Sequence, residues 1–179
     1  MNILLIIVIA IVVIIVIILI AAAFTGKEYV IEREITINKP KQEVFNYIKF
    51  LKNAYRYNKW VMMDPNLKKD YKGADGTVGF IYYWDSANKN VGKGEQEITK
   101  LIEGERVDYE IRFTKPFEGT SVAYIITQTV SQNQTKVTWV FKGMRNYPMK
   151  IIHMLFNLKK VLGKDLQTSL TNLKNVLEK

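Results

Sequence analysis

From Ile3 to Phe24 the chain runs 22 residues without a charge, nearly all of them Ile, Val, Leu or Ala. At about 1.5 Å per residue a helix of that length covers roughly 33 Å, enough to cross the hydrocarbon core of a bilayer. Ile and Val are mediocre helix formers in water. In hydrocarbon, bare backbone groups are so costly that a helix is the only solution for a single span. The competing reading is a cleaved secretory signal, and Ala21, Ala22 and Ala23 imitate a cleavage site. Two departures count against it: no Lys or Arg precedes the run, and the run is longer than the roughly 7 to 15 apolar residues of a signal. The expectation is therefore an uncleaved N-terminal transmembrane anchor over residues 1–26, one globular domain over residues 27–179, and a single-pass protein of the cell membrane.

Every charged side chain follows the apolar run, so the formal charge of +9 belongs wholly to the part from Lys27 onward. The positive-inside tendency then places the domain on the cytoplasmic side. The basic residues have two concentrations. One holds Lys39, Lys41, Lys49, Lys52, Arg56 and Lys59 against Glu43; the other, residues 145–179, holds seven basic against two acidic side chains. A pI near 9.5 is often a mark of nucleic-acid binding. For a domain tethered at a bilayer, anionic lipid headgroups are the better partner, each nearby Lys or Arg adding on the order of 1 kcal/mol. A solvated basic surface without a partner is the plainer alternative, and no nucleic acid is expected.

The chain has no cysteine and one histidine, His153. Disulfides, thiol catalysis and Cys- or His-clustered metal sites are excluded, and neither a metal nor a cofactor is expected.

Beyond the run the period of the pattern changes three times. Tyr29 to Ile37 alternates as a strand. Asn38-Lys39-Pro40 reads as a helix start, with Asn38 as N-cap and Val44, Tyr47, Ile48 and Leu51 at helical spacing. A second short helix is expected over Ala54 to Trp60, followed by a glycine-punctuated loop. From Val78 to Met144 the period is two, with strands near residues 78–84, 91–102, 106–114, 119–130 and 136–143, an antiparallel meander. Residues Met149 to Leu177 return to helical spacing, with Gly163 as a point of bending or division. This order gives an α+β fold in which a curved sheet buries one face against the last helix.

Several stretches carry a resemblance. These are Val30-Ile31-Glu32-Arg33-Glu34-Ile35 with Asn38-Lys39-Pro40 and Val44-Phe45; Lys59-Trp60 with Met63-Asp64-Pro65; Gly92-Lys93-Gly94-Glu95-Gln96; Tyr147-Pro148-Met149; and Gly163-Lys164-Asp165-Leu166 leading to Leu170-Thr171-Asn172-Leu173. Over roughly residues 28–178 the chain resembles the bacterial polyketide cyclase-like branch of the SRPBCC superfamily, which includes START-like proteins. The resemblance implies a helix-grip fold, a curved antiparallel sheet wrapped around a long C-terminal helix, here preceded by one transmembrane helix. It also implies a space between sheet and helix. The membrane anchor departs from most members, which are soluble.

With such a fold, the alternation proposes Gln96, Ile98, Tyr109, Ile111, Phe113, Tyr124, Ile126, Gln128, Trp139 and Phe141 as lining residues. They suit an apolar ligand fixed by a few polar groups, Gln96, Tyr124 and Gln128. The same residues would equally fill a packed core. His153 is the default acid-base candidate, but its place beside the apolar stripe of the last helix favours a structural role. Asp64 and Asp85 read as turn residues rather than a catalytic rim. Gly92-Lys93-Gly94 reads as a bulge in a curved sheet, not a nucleotide loop. Three functions compete: a binding module for a lipid or other hydrophobic small molecule, a cyclase- or dehydratase-like enzyme using the same cavity, and a regulatory interaction domain with a filled core.

Overall fold

The computed structural model describes residues 2–24, 26, 28–144, 151 and 157–179. The apolar run is a single helix, α1 (Ile3–Phe24), with a mean hydropathy of 4.2 over Ile3–Ala21 and no part of that stretch buried against the rest of the protein. By length and composition it is a membrane span or a signal sequence.

The rest forms the helix-grip arrangement. In chain order it comprises β1 (Glu28–Ile37), α2 (Lys41–Ile48), a 3-10 helix at Leu51–Arg56, α3 (Lys59–Met62), β2 (Lys68–Lys72), β3 (Ile81–Asp85), β4 (Lys93–Ile102), β5 (Arg106–Lys115), β6 (Gly119–Ser131), β7 (Gln134–Met144) and α4 (Leu158–Leu177). All strand pairs are antiparallel in one seven-stranded sheet of order β1-β7-β6-β5-β4-β3-β2, so the first strand pairs with the last. The ladder slips at Lys93/Gly94 and Ile98/Lys100 in β4 and at Thr129/Ser131 in β6. Such bulges bend a sheet, and the glycines at 92 and 94 sit at the first of them, as their spacing predicts.

Helix α4 closes the inner face of the sheet. Leu166, Leu170, Leu173 and Leu177 fall on one stripe and are at most 8% exposed. Each contributes about 1.5–3 kcal/mol of burial. The helix packs chiefly on β1. Val107 and Tyr109 of β5 point into the same core, while Asp108, Glu110 and Arg112 face outward. On that outer face the Arg112 guanidinium gathers Glu95, Glu97 and Glu110, and Arg106 clamps Asp108 through Nε at 3.0 Å to both carboxylate oxygens.

Four expectations need correction. A seventh strand, β2, exists where a loop is expected; it is an edge strand of sequence KKDYK with no buried residue. Lysine-rich edge strands resist pairing with other chains and carry no hydrophobic alternation to betray them. Asn38 does not cap α2, whose N-cap is Pro40 without a side-chain bond. Instead the Asn38 N–H donates to Glu178 at 2.5 Å, and its side-chain oxygen accepts from Gln134 at 3.0 Å, tying the end of β1 to the ends of α4 and β7. The helix of residues 54–60 is divided into the 3-10 helix and α3, and Asn58 caps α3 by accepting from the amides of Trp60 at 3.0 Å and Val61 at 3.5 Å. Gly163 does not divide α4; it leaves room for the Arg33 guanidinium of β1, which lies where its Cβ would be. The expected helical stretch 149–156 and His153 lie, apart from residue 151, outside the described residues.

Candidate functional site

Between the inner face of the sheet and helices α3 and α4 lies a cavity of about 210 Å³. Its wall consists of Asn58, Trp60, Val61, Leu67, Tyr82, Trp84, Asn90, Val91, Gln96, Ile111, Phe113, Ala123, Trp139, Phe141, Leu162 and Leu166. Period-two geometry aligns these side chains: Gln96 pairs with Ile111 and with Tyr82, Phe113 with Gly94, and Ala123 with Phe141. Paired residues share a face, so one stripe across five strands supplies most of the wall.

Aromatic contacts hold that stripe in place. Tyr71, Tyr82 and Trp84 stack in succession with centroids 5.6 and 5.9 Å apart, and Phe113 meets Trp84 edge-on at 5.8 Å. The Trp84 indole N–H donates to the Val91 carbonyl at 3.2 Å, which draws the β3–β4 loop over the site. From the helical side, α3 is secured to α4 by the Lys59–Asp165 ion pair and by the Lys59 amide donating to Ser169 Oγ at 2.9 Å.

Among the described residues, no carboxylate, lysine, arginine or histidine lines the cavity. The polar groups on the wall are the side-chain amides of Asn58, Asn90 and Gln96, the Tyr82 phenol and the indoles of Trp60, Trp84 and Trp139. Burial pushes the Tyr82 phenol well above its ordinary pKa, so it is neutral at any physiological pH. The Tyr82 hydroxyl and Trp139 Nε1 have no hydrogen-bond partner within the protein. This wall can solvate an apolar body and orient one neutral polar group; it offers no group that changes charge near neutrality. No cluster of three His, Cys, Asp or Glu side chains suited to a metal occurs among the described residues.

The sequence-proposed lining residues divide into three groups. Gln96, Ile111, Phe113, Trp139 and Phe141 stand on the cavity wall. Ile98 and Tyr109 are fully buried in the packed core, off the wall. Tyr124, Ile126 and Gln128 face the opposite side of the sheet, because in β6 it is Ala123, Ile125 and Thr127 that turn inward. There the Arg106 guanidinium stacks on Tyr124 with 3.9 Å to the ring centroid. Asp64 and Asp85 are structural: Asp64 accepts from the Asn66 amide at 2.9 Å and from Ser86, and Asp85 pairs with Lys93 at 2.9 Å. Tyr82, Trp84, Leu162 and Leu166 were not proposed from the sequence, although alternation within residues 81–85 and the leucine stripe of the last helix carry their signal. Asn58, Trp60 and Val61 reach the wall only through the turn that Asn58 caps, and nothing in their spacing announces it.

No protein-family model matches the chain, and no curated protein matches it. Solved structures do share its fold. A protein of Thermobifida fusca has a TM-score of 0.61 at 15% identity, covering 83% of this chain and 92% of its own. The Aha1 dimer protein of Colwellia psychrerythraea has a TM-score of 0.57 at 19% identity, covering 84% and 96%. A protein of the dynemicin biosynthetic locus has a TM-score of 0.58 at 12% identity, covering 83% of this chain and 47% of its own. At these identities the likeness establishes the fold.

Proposed function

We propose that the chain is a membrane-anchored domain of the polyketide cyclase-like SRPBCC type that binds a hydrophobic small molecule or part of a lipid, without covalent chemistry. The observation that carries this reading is the cavity itself, apolar, aromatic and uncharged among the described residues. Ligand sites are typically concave, mostly apolar and fitted with a few polar fixing groups, which here are Gln96, Asn58 and Asn90. A volume of about 210 Å³ falls below the roughly 300–1,000 Å³ of drug-sized sites and above the about 150 Å³ that suffices for benzene in an engineered cavity. It fits a small ring system or a segment of one acyl chain, not a whole two-chain lipid.

Helix α1 supports the membrane anchor by its length and hydropathy, and the basic balance of the part that follows it supports a cytoplasmic domain. The enzymatic alternative, a cyclase- or dehydratase-like reaction in the same cavity, requires a general acid or base at the ligand.

Native mass spectrometry of the domain from Lys27 onward tests the reading. A co-purifying apolar molecule that fits the cavity is the expected result. A domain that neither carries nor takes up any apolar ligand contradicts it and leaves the outer surface as the working part.

A further inference from the structure

Only Thr25, Gly26 and Lys27 separate Phe24, the last residue of α1, from Glu28, the first of β1. Four residue steps of extended chain reach at most about 14 Å. The start of β1 is thus held close to wherever α1 ends.

The antiparallel register determines what else lies at that end of the sheet. Glu28 pairs with Met144, and Phe113 of β5 pairs with Gly119, where β6 begins. Lys93 pairs with both Lys115, at the end of β5, and Asp85, at the end of β3. The far end, about 30 Å away along a ten-residue strand, carries Ile37 and Thr135.

The cavity belongs to the near end. Phe141 pairs with Ile31, three residues into β1. The exposed member of the wall, Asn90, lies in the β3–β4 loop at the same end. Four residues beyond the wall residue Phe113, at the tip of the β5–β6 hairpin, Phe117 is 52% exposed, and Met144 is 57% exposed. In the strands and loops of this end, Lys68, Lys89, Lys93, Lys115 and Lys142 stand against Glu28, Asp85 and Glu118. Exposed apolar side chains also occur at the far end, Ile102 and Val130, but no tether holds them near lipid.

We infer that this end of the sheet rests on the bilayer, with Phe117 inserted at headgroup depth and the cavity mouth facing the lipid. An exposed apolar side chain at a lysine-rich end of the sheet suits the boundary between acyl chains and anionic headgroups. The ligand then enters from the membrane rather than from bulk water. The large basic group at Lys39 and Lys41 follows the far end of β1 and stays in the aqueous phase. The inference rests on reading α1 as a membrane span.

The full chain has no cysteine, so a single Phe117→Cys, Asn90→Cys or Asn133→Cys substitution accepts one nitroxide label; Asn133 lies in the far β6–β7 turn. Each labelled protein is reconstituted in vesicles of phosphatidylcholine and phosphatidylglycerol. Collisions with oxygen and with a water-soluble nickel chelate then report depth. Expected is a severalfold loss of nickel collisions and a gain of oxygen collisions at position 117, a partial change at position 90, and neither at position 133. A chain that floats with the vesicles while position 117 is as exposed to nickel as position 133 overturns this inference alone. A chain that does not float overturns the reading of α1 and the inference with it. All three positions are on exposed loops, so folding is not at stake.

Discussion

The edge of the Trp84 indole occupies the space that a side chain on Gly94 would fill: a Cβ there would meet Trp84 Cζ2 at 2.6 Å, with the Arg112 carbonyl closing the other side. The cavity wall therefore depends on a bare backbone in the neighbouring strand. Replacing Gly94 by Val drives the indole out of its stack with Tyr82 and strains the β4–β5 ladder. Overpacking of this kind costs about 1–3 kcal/mol. The expected outcome is a lower denaturation midpoint together with a changed tryptophan fluorescence spectrum. An unchanged spectrum would show that Trp84 is not held by that contact.

The α+β order, six of the seven strands and the closing helix were legible because burial on one face imposes a clear period, as in Val107, Asp108, Tyr109 and Glu110. The failures have physical causes. In β6 both faces are apolar, Val122, Tyr124 and Ile126 against Ala123 and Ile125, and a one-residue slip exchanges the faces without disturbing the pattern. Arg106 stacked over Tyr124 is what lets the larger side chain face outward, and no local spacing reveals a partner 18 residues away. Gly163 looks like a helix breaker, yet its role is to admit Arg33, a tertiary contact. Of the cavity, the strand-borne part could be read, whereas the part supplied by α3 depends on a cap at Asn58 and could not.

Helix α4 closes the core through leucines with almost no exposure. Leu170 is fully buried, and Leu170→Ala should destabilise the domain by about 2–5 kcal/mol, a large share of a margin of about 5–15. Removal of residues 166–179 should abolish the cooperative thermal transition. A truncated chain that still melts cooperatively would show that the helix does not close the sheet.

Burial pushes the phenols of Tyr57, Tyr82 and Tyr109 above their ordinary pKa of 10.0. In the unfolded chain they ionise near pH 10, so above that pH the folded state holds more protons than the unfolded one. By linkage, the stability these groups confer is complete below about pH 10 and is lost as the pH climbs toward the raised values. In an alkaline titration the last tyrosinate absorbance should appear only together with loss of near-ultraviolet ellipticity. Ionisation of all ten tyrosines with the ellipticity intact would contradict the packing described.

If α1 is a lasting anchor, the mature protein retains residues 3–24 and resists extraction from membranes by alkaline carbonate. Mass measurement decides between the two fates of such a run. A mature form beginning between Ala23 and Gly26 would identify a cleaved signal and place the domain outside the cytoplasm.

The binding reading stands or falls on whether Ile111 faces usable space. It lies on the cavity wall and is only partly buried, so a larger side chain there has room to enter and few contacts to lose. The measurement is uptake of an apolar fluorescent probe by the Ile111→Trp domain, read beside its melting temperature. Loss of probe binding with little change in melting temperature is the predicted result. Unchanged probe binding with a melting temperature lowered as overpacking of a filled core would lower it, a cost of about 1–3 kcal/mol, would contradict the account.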